Sequence, residues 1–201
     1  MLDVERVALT AELRVMRSPR RAYTELAGEP GAGGILVALR RPVFVALIQG
    51  VAITMAATGT VAAPVLASVT ICWSTALVLQ LAAAIVLIRS AQLPRPGTAR
   101  AIDLLFLGHA PWSLWLLIFS AAMTLAPSAA VLRWTAMFAM VVPAALTARI
   151  VVAFNEIVLH ADRRRAVRRA AVHQALMLGA LGLYVAAAIQ LWPRLIGLFG
   201  E

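Results

Sequence analysis

The sequence predicts an all-α, polytopic transmembrane helical bundle with five spans and a cytoplasmic N-terminus. Three observations carry that expectation. Of 201 residues, 62% are apolar and 13% charged, at a mean hydropathy of +0.89, whereas soluble domains carry about 45–50% apolar and about 25% charged residues. Apolar runs at 43–61, 66–88, 104–126, 134–155 and 170–192 have the length that crosses a hydrocarbon core, roughly 20 residues. Arginines collect in alternate connecting segments. Lipid cannot satisfy free backbone N–H and C=O groups, so the spans must be helices.

The elements follow in order. Residues 1–41 form a cytoplasmic amphipathic segment, 42–195 the five-helix membrane domain and 196–201 a short exterior tail. In the first, Leu2, Leu9, Leu13 and Met16 make one helical stripe, flanked by Val4, Val7, Ala8, Ala11 and Val15, with charges opposite. A second short helix starts at Ser18 as N-cap with Pro19 in its first turn, carries Arg21 and Glu25 at i,i+4 spacing, and ends at Gly28. Residues 29–34 read as a flexible connection. The first apolar run follows this long segment and does not resemble a cleavable signal peptide.

Ala62-Ala63-Pro64 and Ala126-Pro127-Ser128 are turns between antiparallel spans. Pro42 falls in the first turn of span one, while Pro111 and Pro143 lie inside spans three and four and should kink them. Asp162 is placed as the N-cap of the fifth helix, with the turn into it at 160–162. Of the 18 basic residues, those on 1–41, between spans two and three (Arg89, Arg95, Arg100) and between spans four and five lie on one side. Arg133 and Arg194 alone lie opposite. Positive charge is retained in the cytoplasm, which orients the chain. Arg163, Arg164, Arg165, Arg168 and Arg169 then meet anionic headgroups on the cytoplasmic side. Nucleic acid is not expected, since no recognition module or aromatic interleaving accompanies the arginines.

Ionisable residues inside spans are the candidate functional positions. Arg149, in span four, sits about 9 Å of helix rise from Asn155. Asp103 begins span three on the same side and His109 lies about 9 Å deeper, near the depth of Arg149. Glu156 follows seven residues after Arg149 on the same face. A cytoplasmic-side polar cluster of Asp103, His109, Arg149 and Glu156 is therefore expected. The bland reading of Arg149 is that it snorkels to the headgroups.

Chemistry is otherwise thin. Cys72 is the single cysteine, so an intrachain disulfide is impossible. Glu156 and His160, with His173 further along, make an incomplete metal set, and no nucleophile elbow, phosphate loop or dinucleotide-binding glycine pattern occurs. An enzyme is not expected, nor a cofactor.

A family resemblance rests on four pieces: Pro19-Arg20-Arg21-Ala22-Tyr23, Gly97-Thr98-Ala99-Arg100-Ala101, Leu107-Gly108-His109-Ala110-Pro111, and Arg165-Ala166. Together they resemble the bacterial branch of the Yip (Ypt-interacting-protein) family of five-span membrane proteins, over roughly residues 16–195. The resemblance implies five spans, a cytoplasmic N-terminus and a short exterior tail. His109 stands where the family typically has tyrosine, Pro111 comes early, and the Asp-Leu-Tyr-Gly-Pro motif of eukaryotic members is missing. The eukaryotic traffic role with small-GTPase partners is accordingly not carried over. The expected function is a scaffold, membrane-organising factor or accessory subunit in a bacterial inner membrane, partnered by another membrane protein or a second copy. The alternative is a small transporter or channel using the polar cluster.

Overall fold

The computed structural model describes residues 11–29, 34–60, 63–91, 97–125 and 130–199, and among them the chain is all-helical. Residues 11–17 form α1, followed by α2 (Pro19–Gly28), α3 (Ile35–Thr58), α4 (Ala63–Arg89), α5 (Thr98–Leu107), α6 (Ala110–Leu125), α7 (Ala130–Ala139), α8 (Val141–Ile157) and α9 (Arg163–Phe199). Helix α3 runs out and α4 returns beside it, while α8 and α9 form a second antiparallel pair. Among the described residues one helix, Ile35–Ala56, is long and apolar enough to cross a membrane, or two if the bent pair α5 and α6 is one span.

Burial is concentrated at one end. Pro19, Ala22, Tyr23 and Leu26, spaced i, i+3, i+4 and i+7, turn one face of α2 onto α8. Helix α5 buries Ile102, Leu104, Leu105, Phe106 and Leu107 in succession, so it is enclosed nearly all round. Ile150, Val151 and Phe154 of α8 complete this core, and the Tyr23 and Phe154 rings meet edge to face at 5.7 Å. Away from this end the helices turn apolar side chains outward: Leu125 is 86% and Phe138 75% exposed, with Ile118, Val131 and Leu183 alike.

Several local expectations meet the structure differently. In α1 the buried positions are Ala11 and Val15, and Leu13 is exposed; the stripe of residues 1–10 lies outside the described residues. Ser18 occupies the N-cap position of α2 but its side chain makes no capping bond. Pro42 is not in a first turn, because α3 begins at Ile35 and the proline lies within it. The run at 104–126 is two helices bent by 41° at Gly108-His109, with Leu104–Leu107 in the buried core. Pro111 therefore sits in the first turn of α6, where the N–H it lacks has no helical partner to lose. The run at 134–155 likewise divides at Met140, and Pro143 falls in the first turn of α8. Residues 61–62 and 126–129 of the expected turns are outside the described residues, although Gly59 closes α3 in the left-handed conformation (φ 69°).

The corner at Gly108 is closely packed. A Cβ at Gly108 would stand 3.0 Å from both Ile150 Cγ2 and the Leu105 carbonyl oxygen and 3.4 Å from the Tyr23 hydroxyl, so glycine lets the corner settle on α8 and α2 with no neighbour displaced. The Tyr23 hydroxyl donates to the Leu104 carbonyl at 3.2 Å. Its complete burial pushes the phenol pKa up, which keeps it a neutral donor.

Tyr23→Phe should lower stability by about 1 kcal/mol through the lost hydrogen bond, and Tyr23→Ala by about 3–5 kcal/mol through the cavity beneath the bend. Unfolding of the detergent-solubilised protein, followed by helical circular dichroism, checks both; equal effects of the two substitutions would contradict this packing.

Candidate functional site

Two polar regions stand out, and they are built differently. At the buried end, long-range ion pairs tie helix termini into a collar. Asp103 of α5 receives Arg100 at 2.9 Å and Arg41 of α3 at 3.3 Å, and Arg41 also reaches Glu12 of α1 at 3.5 Å. Burial raises the Glu12 carboxyl from its ordinary value, against the pull of the Arg41 charge. The second Arg100 nitrogen donates to the Leu26 carbonyl at 2.6 Å, which holds α2 to α5. Glu156 is gripped by Arg20 at 2.6 Å and Arg163 at 2.9 Å, joining α2, α8 and α9.

Arg149 donates to the carbonyls of Arg17 (2.9 Å) and Met16 (3.4 Å), so its guanidinium closes the C-terminal end of α1. A cation at this position meets the negative end of the helix dipole and carbonyls that lack helical partners. Arg21 and Glu25 pair at 2.9 Å, as their spacing predicts. Asp162 caps α9, accepting the Arg165 backbone N–H at 3.0 Å, and that bond, with the Arg165 charge, lowers its pKa despite some desolvation. The turn ahead of it passes through His160 in the left-handed region (φ 50°).

The four residues expected to form one cluster thus have separate partners. Asp103 joins Arg41 and Arg100, Glu156 joins Arg20 and Arg163, Arg149 binds backbone carbonyls, and His109 lies at the helix bend. Matching depths along two helices says nothing of the direction in which each side chain leaves its axis. Within the arginine run, Arg163 and Arg165 are paired and Arg169 donates to the Ser90 carbonyl at 2.9 Å. Arg164 and Arg168 are exposed, with no ion pair among the described residues.

The second region lies between α4, α6, α8 and α9. His109 is 8% exposed, and its ring meets that of His173 edge to face at 5.8 Å. The two border a cavity of about 120 Å³ with Thr147, Gln174, Gln80, Trp112, Trp115, Met140 and Met177. His109 Nδ1 is 3.3 Å from the Leu105 carbonyl, an oxygen that can only accept, so this nitrogen carries the proton and Nε2 presents a lone pair. That Nε2, the Thr147 hydroxyl, both His173 ring nitrogens and Gln174 Nε2 are buried without a partner among the described residues. Each buried polar group left unsatisfied costs about 1–3 kcal/mol, so these groups call for partners, ordered water or a bound molecule.

His173, Thr147 and Gln174 were not singled out as a site from the sequence. The signal available was His173 itself, an ionisable residue three positions into the fifth apolar run. Its nearness to His109 depends on how α9 packs, which spacing does not record. Among the described residues no group of three or more His, Cys, Asp and Glu gathers as a metal cage would. Comparison with known protein families, curated proteins and solved structures gives no match to this chain.

Desolvation alone would raise the Glu156 carboxyl, but hydrogen bonds and charge from Arg163 and Arg20 together hold it below the ordinary carboxylate range. A carboxylate depressed in the folded state stabilises above its unfolded pKa, and that contribution is lost as pH falls through the folded value. Glu156→Gln should therefore unfold at lower temperature than wild type at neutral pH. The gap should narrow as pH drops below about 4. A pH-independent gap in thermal scans would mean the carboxylate charge is not what joins α2 to α9.

Proposed function

We propose that this chain is a non-enzymatic, multi-pass integral membrane protein of the Yip-type plan, with five spans and its ion-paired collar in the cytoplasm of a bacterial cell. The observation that carries the reading is the segregation of the two surfaces: charge and enclosed core at one end, outward apolar side chains along the helices beyond it. The five apolar runs correspond to α3, α4, the α5–α6 pair, the α7–α8 pair and α9. At roughly 1.5 Å per residue α9 extends about 55 Å, enough to cross the hydrocarbon and leave its arginine-rich first turns outside it.

Pieces of the family resemblance also meet in space. Tyr23 packs under Gly108, Arg100 holds the end of α2 through Leu26, and Ala166 is fully buried at the start of α9. Such a collar suits a scaffold, membrane-organising factor or accessory subunit. The unpaired Arg164 and Arg168 suit anionic headgroups, each near-surface arginine contributing about 1 kcal/mol. Gly179 and Gly182 of α9 have open space where a Cβ would point, which suits close approach by another membrane helix or a second copy. The small transporter or channel is the second reading, favoured by the cavity beside His109.

Topology fusions test the plan. A reporter fused before Met1 should be active only in the cytoplasm and one fused after Glu201 only outside it, and both ends in one compartment would refute five spans. Co-purification of a membrane partner in mild detergent supports the scaffold. A lone protein that passes solute across liposomes supports the alternative.

A further inference from the structure

We propose that the cavity between α4, α6, α8 and α9 is a binding site for a small, uncharged, hydroxyl-bearing ring compound of the phenol type. The wall itself sets this chemistry. Among the described residues no Asp, Glu, Lys or Arg lines the cavity, so a charged ligand would enter without a counter-ion from them. His109 Nε2 offers a lone pair and needs a donor, whereas Gln174 Nε2 is a donor and needs an acceptor. The Thr147 hydroxyl and the His173 ring can serve either way. A hydroxyl is the smallest group that both gives and accepts a hydrogen bond.

The rest of the wall is mostly apolar, and it is aromatic on the α6 side. Trp112 and Trp115 stand edge to face at 6.0 Å, and Trp115 stacks on Phe119 at 5.5 Å. A flat ring fits against such a surface better than a cluster of waters would. The volume of about 120 Å³ limits the occupant to a single ring. The bend at Gly108-His109 interrupts the helix where His109 lines the cavity, with its Nε2 buried and unpartnered among the described residues. Irregular backbone at membrane depth is tolerated where it is enclosed by protein or lines a polar space.

The probes are para-fluorophenol and fluorobenzene, titrated into the full chain in lipid nanodiscs and followed by fluorine NMR. Para-fluorophenol should give a saturable shift, and fluorobenzene, lacking the hydroxyl, should bind about tenfold more weakly or worse. Thr147→Val, which keeps the side-chain shape, and His109→Leu should each weaken para-fluorophenol by about tenfold in protein that retains wild-type helical content. A linear, non-saturating response to both probes would overturn the proposal in favour of water alone. Equal affinity for the two would reduce the cavity to an apolar sink and overturn it too. The comparison of probes on the wild-type chain decides the matter even if a variant fails to fold.

Discussion

The seating of Tyr23 beneath the Gly108 corner is the contact on which the rest of the structure depends. It locks α2 against α5 and α8, and α2 is what brings Arg20 to Glu156 and the Leu26 carbonyl to Arg100. Were a Cβ present at position 108, Ile150 or the Leu105 carbonyl, each 3.0 Å from it, would have to shift. The collar and the histidine cavity would then lose their common reference point.

The charges around that contact follow a simple economy. Asp103 and Glu156 each take two arginines, one from a neighbouring turn or helix end and one from a distant element. A carboxylate shared in this way is neutralised locally while the assembly stays cationic, as befits a chain of net charge +9. Partly exposed pairs of this kind are individually weak. Their value here lies in register, since they join residues up to 136 positions apart and thereby fix which helix ends lie together.

What the sequence made legible was chiefly local. The start of α2 at Ser18-Pro19, the Arg21–Glu25 pair, the Asp162 cap and the turn at 160–162 all depend on neighbours within four residues. The prolines were readable as disturbances but not in position. A proline removes a bond to the carbonyl four residues earlier, so the breaks at Gly108-His109 and Met140 fall before Pro111 and Pro143. Arg149 was recognisable as exceptional. Its partners, however, are backbone carbonyls of α1 more than 130 residues away, and a carbonyl has no signature in composition. His173 escaped for a related reason: a histidine in an apolar run signals its presence, while its rotational setting on the helix is decided by packing.

Helix α9 joins what would otherwise be two independent regions. Arg169, anchored to the Ser90 carbonyl, and Gln174, at the cavity, are five residues apart on one unbroken helix, a separation of about 7.5 Å along its axis. Over that distance a helix behaves as a stiff rod. A tilt of its arginine-bearing foot must therefore swing His173 and Gln174 as well, so the chamber cannot change shape without disturbing the Arg169–Ser90 anchor.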